Sequence, residues 1–171
     1  MFTFASIVVK LNQVYLSLGS NVGNRSEQLA KATDFLKEKG EVKRISSVYE
    51  TEAWGNINQP SFLNLVLQMM TNFKSIYFMK ELLLIEEKMG RIRQNKWESR
   101  IIDIDILYFN NEIIDENELK IPHPYIHERK FVLEPLAEIA PDFVHPLLKL
   151  SSIEMLKACS DSLKVKRLSH V

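Results

Sequence analysis

Apolar and polar residues alternate along "QVYLSLGS" (13–20), which predicts a strand. "NVGN" follows as a loop. The period then changes. In "RSEQLAKATDFLKEKG" (25–40) Leu29, Ala32 and Leu36 fall on one helical face, and Gly40 is expected to stop the helix. "EVKRISSVYET" (41–51) reads as a second strand and "SFLNLVLQMMT" (61–71) as a third, separated by the polar, Gly- and Pro-containing loop 52–60. "SIYFMKELLLIEEKMG" (75–90) is a second long helix closed by a glycine, 91–99 is a loop, and "RIIDIDILYF" (100–109) is a fourth strand.

The order β-α-β-β-α-β is the ferredoxin-like pattern: an α+β fold whose antiparallel sheet carries both helices on one face. The remaining segments, "IPHPYIHERKFVLEPLAEIAP" and "SSIEMLKACS", read as a loop and two further helices. Covering the other face, they would complete a three-layer α/β/α arrangement. No repeat or linker interrupts the chain, so residues 1–171 are expected to form one domain, with 1–12 as an N-terminal extension and 160–171 as a tail.

Composition narrows the function classes. Among 171 residues, 22 basic side chains balance 22 acidic ones, so a general nucleic-acid binder is not expected. One cysteine allows no internal disulfide and suits a reducing compartment. The apolar start "MFTFASIVV" lacks the basic residue that opens a signal peptide, and no apolar run reaches the ~20 residues of a membrane span. The expected place is the cytoplasm, with no membrane partner.

Two aspartates break the apolar run of the fourth strand. By alternation Ile102, Ile104, Ile106 and Tyr108 share one face, and Ile101, Asp103, Asp105, Leu107 and Phe109 share the other. Asp103 and Asp105 then lie roughly 6.5–7 Å apart at Cα and point the same way. Two half-buried like charges repel and lose hydration. Mg²⁺ would offset both costs while leaving positions free for phosphates. The ordinary alternative is a pair near a strand end, solvated or paired with Arg100. The preceding loop carries Arg91, Arg93, Lys96, Trp97 and Arg100. Guanidinium groups fork onto phosphate oxygens, and the indole could pack on a ring. A helix C-terminus would also attract such cations, but it does not account for acids and bases alternating through "RIRQNKWESRIIDID".

Four ordered segments carry a resemblance: "YLSLGSNVGNR" (15–25), "SSVYETEAWGNINQPSFLN" (46–64), "GRIRQNKWESRIIDIDILYF" (90–109) and "IPHPYIHERKFVLEPLAEIAP" (121–141). Together they resemble the 6-hydroxymethyl-7,8-dihydropterin pyrophosphokinase family of folate biosynthesis. The resemblance implies transfer of the β,γ-pyrophosphoryl group of ATP to the pterin hydroxymethyl group, with release of AMP and with two Mg²⁺ ions bridging the phosphates. It implies that Asp103 and Asp105 hold both metals, with Asp103 also reaching the pterin. Arg91, Arg93, Lys96 and Trp97 would lie on a catalytic loop over the nucleotide, and Arg100 at the strand start. Glu86, His123 and Arg129 would face the nucleotide, with adenine against the backbone near Ile106. Thr51, Glu52, Trp54, Phe62, Asn64 and Phe131 would form the pterin slot, since flat walls and an amide suit a flat heterocycle with a hydrogen-bonding edge.

Phe62 and Phe131 could equally be plain core, His123 a structural loop residue, and Gly19-Ser20-Asn21 only a turn. The sequence departs from the family at Glu98-Ser99, where Gly-Pro is usual, at Lys96 and Tyr125, where arginine is common, and at Glu52, where proline is common. These departures put loop closure and the pterin wall in question. Two other functions remain open. A Mg²⁺-dependent nucleotidyltransferase pairs a Gly-Ser turn with a D-x-D strand close by in sequence, whereas here they stand at 19–20 and 103. A non-catalytic ligand-binding module on the same scaffold would not need the acid pair. A monomer is expected, with a dimer left open.

Overall fold

The computed structural model describes residues 10–52, 59–91 and 100–168. Its elements run β1 (Asn12–Ser20), α1 (Arg25–Lys37), β2 (Glu41–Ile45), β3 (Tyr49–Thr51), β4 (Phe62–Thr71), α2 (Ser75–Lys88) and β5 (Asp103–Phe109). A short hairpin of β6 (Ile114–Asp115) and β7 (Lys120–Ile121), α3 (Lys130–Ile139), α4 (Ser152–Ala158) and β8 (Val165–Arg167) follow. The main sheet has the order β5-β1-β4-β3-β8, with β2 pairing the other half of β4, and all its pairings are antiparallel.

Apolar periodicity explains the two faces. Leu29 and Leu36 of α1 and Phe78, Leu82 and Ile85 of α2 pack on Val14, Leu16, Leu18, Leu65, Leu67, Ile104 and Ile106. On the opposite face Leu133 and Leu136 of α3 and Met155 of α4 pack on Tyr15, Val66, Leu107 and Tyr108. Each fully buried Leu or Phe contributes roughly 1.5–3 kcal/mol relative to exposure. Among the described residues no helix is long and apolar enough to cross a membrane.

Several expected boundaries move. The strand expected over 41–51 is two strands: Ser46 turns its hydroxyl back onto the Val66 N–H at 3.0 Å, between β2 and β3. The first helix ends at Lys37 rather than Gly40. Gly40 is required for a different reason, because a Cβ there would lie 2.2 Å from the Met70 carbonyl oxygen. Gly90 does close α2 with φ +90°, which glycine adopts at little cost. The fourth strand begins at Asp103, not at residue 100.

Its faces also differ from simple alternation. The β1–β5 register slips between Tyr15, opposite Tyr108, and Leu16, opposite Ile106. Leu107 is the extra residue of a bulge, so Tyr108 joins Leu107 on the α3 face and Phe109 crosses to the α1–α2 face. The two C-terminal helices are as expected, whereas β8 and the β6–β7 hairpin are additional.

Candidate active site

Register assembles the site. Residues directly opposite in an antiparallel pair share a face. Asp103 pairs with Gly19, Gly19 with Asn64, and Asn64 with Tyr49, forming one row across four strands on the α3 face. The neighbouring rows place Asp105 beside Ser17 and Phe62 beside Thr51. Small side chains at Gly19 and Ser17 leave a hollow between the acids and the amide. This is a cavity of about 660 Å³, roofed by Phe131 and Val132 of α3. Thr51, Glu52, Phe62, Asn64, Arg100, Asp103, Asp105, His123 and Arg129 all line it.

A second cavity of about 360 Å³ lies beyond the aspartates, against α2 and β7. It is lined by Glu86, Arg91, Ile106, Leu119 and Lys120, and it shares Arg100, Asp103, Asp105 and His123 with the first. The acid pair therefore stands on the partition between an aromatic-walled hollow and a more open, charged one.

Asp103 and Asp105 are not equivalent. Asp103 Oδ1 takes Arg91 Nη1 at 2.6 Å, and its Oδ2 takes Arg100. Asp105 faces His123 Nε2 at 3.9 Å. Burial and the positive charge of Arg129 lower the His123 pKa to about 4, so the ring is neutral at pH 7. Its Nδ1 accepts the Tyr125 N–H at 3.2 Å, which leaves the proton on Nε2, the nitrogen facing Asp105. Desolvation, then the charge of Asp103, raises the Asp105 pKa. Asp105 is thus a carboxyl short of positive charge, which is what a bound cation would supply.

A hard divalent cation fits this donor set. No group of three or more His, Cys, Asp or Glu among the described residues forms a metal cage. An ion on the two aspartates would draw its other ligands from water or a bound phosphate, as Mg²⁺ commonly does. The arginines on Asp103 do not bar it, because the two oxygens of a carboxylate offer about four lone-pair positions.

The remaining expected residues take varied positions. Arg91 bridges Asp103 and Glu86 and is only 13% exposed. Glu86, buried at the floor of the second cavity, also accepts the Ile104 N–H at 2.8 Å, so it pins β5 to α2. Asn64 and Thr51 are both buried, and the amide Nδ2 donates to the Thr51 hydroxyl at 2.8 Å. Phe62 and Phe131 are partly buried with their rings on the cavity. Arg129 stacks 5.1 Å over Tyr125, and Ile106 is buried. Trp54, Arg93, Lys96, Trp97, Glu98 and Ser99 lie outside the described residues.

One sequence argument is corrected by the sheet. The separation of Gly19-Ser20 from Asp103 along the chain does not keep them apart, since Gly19 is the direct partner of Asp103. Distance in sequence therefore does not count against a nucleotidyltransferase. Sequence reasoning weighed Gly19-Ser20-Asn21 as a plain turn or, by the family resemblance, as a turn beside the pterin pocket, and gave Asn21 no contact of its own. It is buried, and its Oδ1 accepts the Arg100 N–H at 2.7 Å. An asparagine two residues after Gly19, just past an apolar strand, was the available signal.

Comparison with known proteins bears on the choice. The family model for 7,8-dihydro-6-hydroxymethylpterin-pyrophosphokinase matches residues 15–141. A 2-amino-4-hydroxy-6-hydroxymethyldihydropteridine pyrophosphokinase of Aquifex aeolicus is 43% identical over 136 residues, covering 80% of this chain and 85% of the relative. The enzyme of the same name from Bacillus subtilis is 40% identical, covering 75% and 78%. The folic acid synthesis protein FOL1 of Dictyostelium discoideum is 38% identical over 84% of this chain, which spans only 22% of that longer protein. Among solved structures, an HPPK-DHPS in complex with substrates superposes with a TM-score of 0.69 at 17% identity, over 87% of this chain and 43% of that one. A Plasmodium falciparum HPPK-DHPS with pteroate gives 0.69 at 19% identity, over 87% and 42%. These structures support the fold, and this chain spans less than half their length.

Proposed function

This chain belongs to the 7,8-dihydro-6-hydroxymethylpterin-pyrophosphokinase family, and on that premise we propose the division of labour by which it transfers pyrophosphate from ATP to 6-hydroxymethyl-7,8-dihydropterin. The pterin lies in the aromatic-walled cavity between Phe62 and Phe131, with the Asn64 amide reading its edge and Thr51, Glu52 and Trp54 on the surrounding wall. The triphosphate lies in the second cavity, toward Arg91, Arg100 and His123, with Arg129 on the wall of the first; nucleotide-binding roles for Arg93, Lys96 and Trp97 follow from the resemblance. Adenine sits against Ile106, and Glu86 holds the floor. The pterin hydroxymethyl oxygen attacks the β-phosphorus and gives up its proton to water, the bond from that phosphorus to the α-phosphate bridging oxygen breaks, and AMP leaves with that oxygen and the bonding pair.

Asp103 and Asp105 would hold two Mg²⁺ ions, which supply charge neutralisation across the triphosphate and hold it in line with the attacking oxygen. The chain's own part is placement. Asp105, flanked by a neutral imidazole, turns a carboxyl short of positive charge to both cavities. Arg91 and Arg100 carry positive charge to the phosphate side of Asp103. The observation that carries this reading is the acid pair on the partition between two cavities.

The strand order supports a ferredoxin-like core with a third layer of C-terminal helices, read here as one domain. We further propose a monomeric cytoplasmic enzyme with small-molecule substrates and without nucleic-acid or membrane partners. The test is one incubation with ATP, Mg²⁺ and the hydroxymethyl-dihydropterin. AMP that appears only with the pterin supports the reading. Pyrophosphate would point to nucleotidyl transfer, and ADP or no turnover would overturn it.

A further inference from the structure

Asn21 follows β1 and takes part in four hydrogen bonds that no role above uses. Its Oδ1 accepts the backbone N–H of Arg100 at 2.7 Å, and its own N–H donates to the Arg100 carbonyl at 3.1 Å. These two bonds clamp the backbone of the arginine whose guanidinium holds Asp103. The other end of the same side chain turns to a different segment. Nδ2 donates to Gln59 Oε1 at 3.3 Å and to the Pro60 carbonyl at 3.4 Å. Gln59 lines the aromatic-walled cavity and not the second one. Asn21 is 2% exposed, so water does not readily replace these bonds.

One buried amide therefore uses its acceptor on the arginine shared by both cavities and its donor on the pterin-side wall. The two long bonds on the donor side are weak individually and sensitive to a shift of a few tenths of an ångström. On the Arg100 side the bond accepted by Oδ1 is short at 2.7 Å, and the bond donated by the Asn21 backbone N–H is of ordinary length at 3.1 Å. A displacement of Arg100 by an anion in the second cavity would shift Asn21 and so disturb its two long bonds to Gln59 and Pro60.

Resting on the functional reading above, we propose that Asn21 is a positioning residue that couples the nucleotide side of the site to the pterin side. Coupling of this kind is an interaction free energy between two ligands and is reciprocal. It is measured as the ratio of pterin affinities with and without bound nucleotide. That ratio is taken within one variant, so a uniform loss of stability or of affinity does not change it.

The experiment titrates the full chain with 6-hydroxymethyl-7,8-dihydropterin, with and without Mg²⁺ and α,β-methylene ATP, by fluorescence or calorimetry. Wild type should bind pterin about 10-fold more tightly with the nucleotide analogue, within the usual range for coupled sites. Asn21→Ala should bring that ratio close to one. Asn21→Asp is isosteric. It keeps an acceptor for the Arg100 N–H and loses the donor to Pro60, so it should retain nucleotide affinity and still lose most of the coupling. It also keeps the test alive if Asn21→Ala does not fold. A ratio unchanged from wild type in either folded variant, or a wild type that binds both ligands independently, would overturn the proposal. A wild type that binds neither ligand would instead overturn the functional reading on which it rests.

Discussion

Asp105 presents its carboxylate to the Nε2 of a neutral His123 across 3.9 Å. Desolvation and the charge of Asp103 raise its pKa, and Arg129 and Arg100 only partly counter them. The folded chain therefore binds a proton at Asp105 more tightly than the unfolded chain does. Stability from this group is present below the ordinary aspartate value near 3.8 and is lost as pH rises through the raised folded value. Asp105→Asn should melt above wild type at pH 8 without ligand, and the gap should close below pH 4. The same variant should lose pterin-dependent AMP formation by orders of magnitude. A variant melting below wild type at pH 8 would contradict the charge deficit described at this position.

Arg91 illustrates the opposite arrangement, a cation between two acids. Removing it strands the buried Glu86 carboxylate with the Ile104 N–H among its partners and takes one of two arginines from Asp103. Breaking a buried pair by removing one member costs about 3–5 kcal/mol. Arg91→Ala should lower the denaturant midpoint by an amount of that order. Adding Glu86→Gln removes the stranded charge while keeping an acceptor for Ile104. The double variant should recover a large part of the loss, and simple additivity of the two changes would count against the bridge.

Much of this was legible from pattern. Strands 13–20 and 61–71 and both long helices emerged close to their expected bounds because one face of each is continuously apolar. The acid pair was legible because Asp103 and Asp105 precede the bulge. Beyond Leu107 the same rule fails, and it assigns Tyr108 to the wrong face. A bulge adds one residue without any local mark in "ILYF". β8 was missed because three residues hold no period; it exists through Glu50, Tyr49 and Thr51 opposite it. The roles of Arg91 and Asn21 come from reach across the fold to β5 and to residue 100, and spacing along the chain does not encode that.

Tyr49 supplies a pH test away from the site. Its hydroxyl donates to Glu138 Oε2 at 2.9 Å. Burial, then that bond and the carboxylate charge, pushes its pKa up to about 12. Burial pushes the Glu138 carboxyl up as well, but donors from Ser47 and Tyr49 outweigh it and hold the carboxyl below its usual range. A raised phenol contributes stability that is complete below pH 10 and lost as pH rises through about 12. Tyr49→Phe should cost about 1 kcal/mol at pH 7 and flatten the decline between pH 10 and 12. Tyr108, also pushed up by burial, will keep the decline from vanishing. Urea midpoints at pH 7 and pH 11 are the measurement, and an equal loss at both would refute the assignment.

Gly19 and Gly40 predict different consequences for the same substitution. A Cβ at Gly40 would meet the Met70 carbonyl oxygen at 2.2 Å, and backbone must move to admit it. Overpacking of this kind costs about 1–3 kcal/mol. Gly40→Ala should therefore lower the midpoint while leaving pterin affinity intact, since Gly40 lines neither cavity. A Cβ at Gly19 would meet Asn64 Oδ1 at 2.9 Å, with Phe62 Cδ1 at 3.8 Å. The tip of a side chain can turn away, so the stability loss should be the smaller of the two. Turning it breaks the bond from Asn64 to the Thr51 hydroxyl and rotates the amide out of the row between Gly19 and Tyr49. Gly19→Ala should weaken pterin binding about 10-fold, equivalent to ~1.4 kcal/mol, with nucleotide affinity changed much less. If Gly19→Ala instead reduces stability more than Gly40→Ala and leaves pterin affinity unchanged, Asn64 is a structural amide and the pterin edge is read elsewhere.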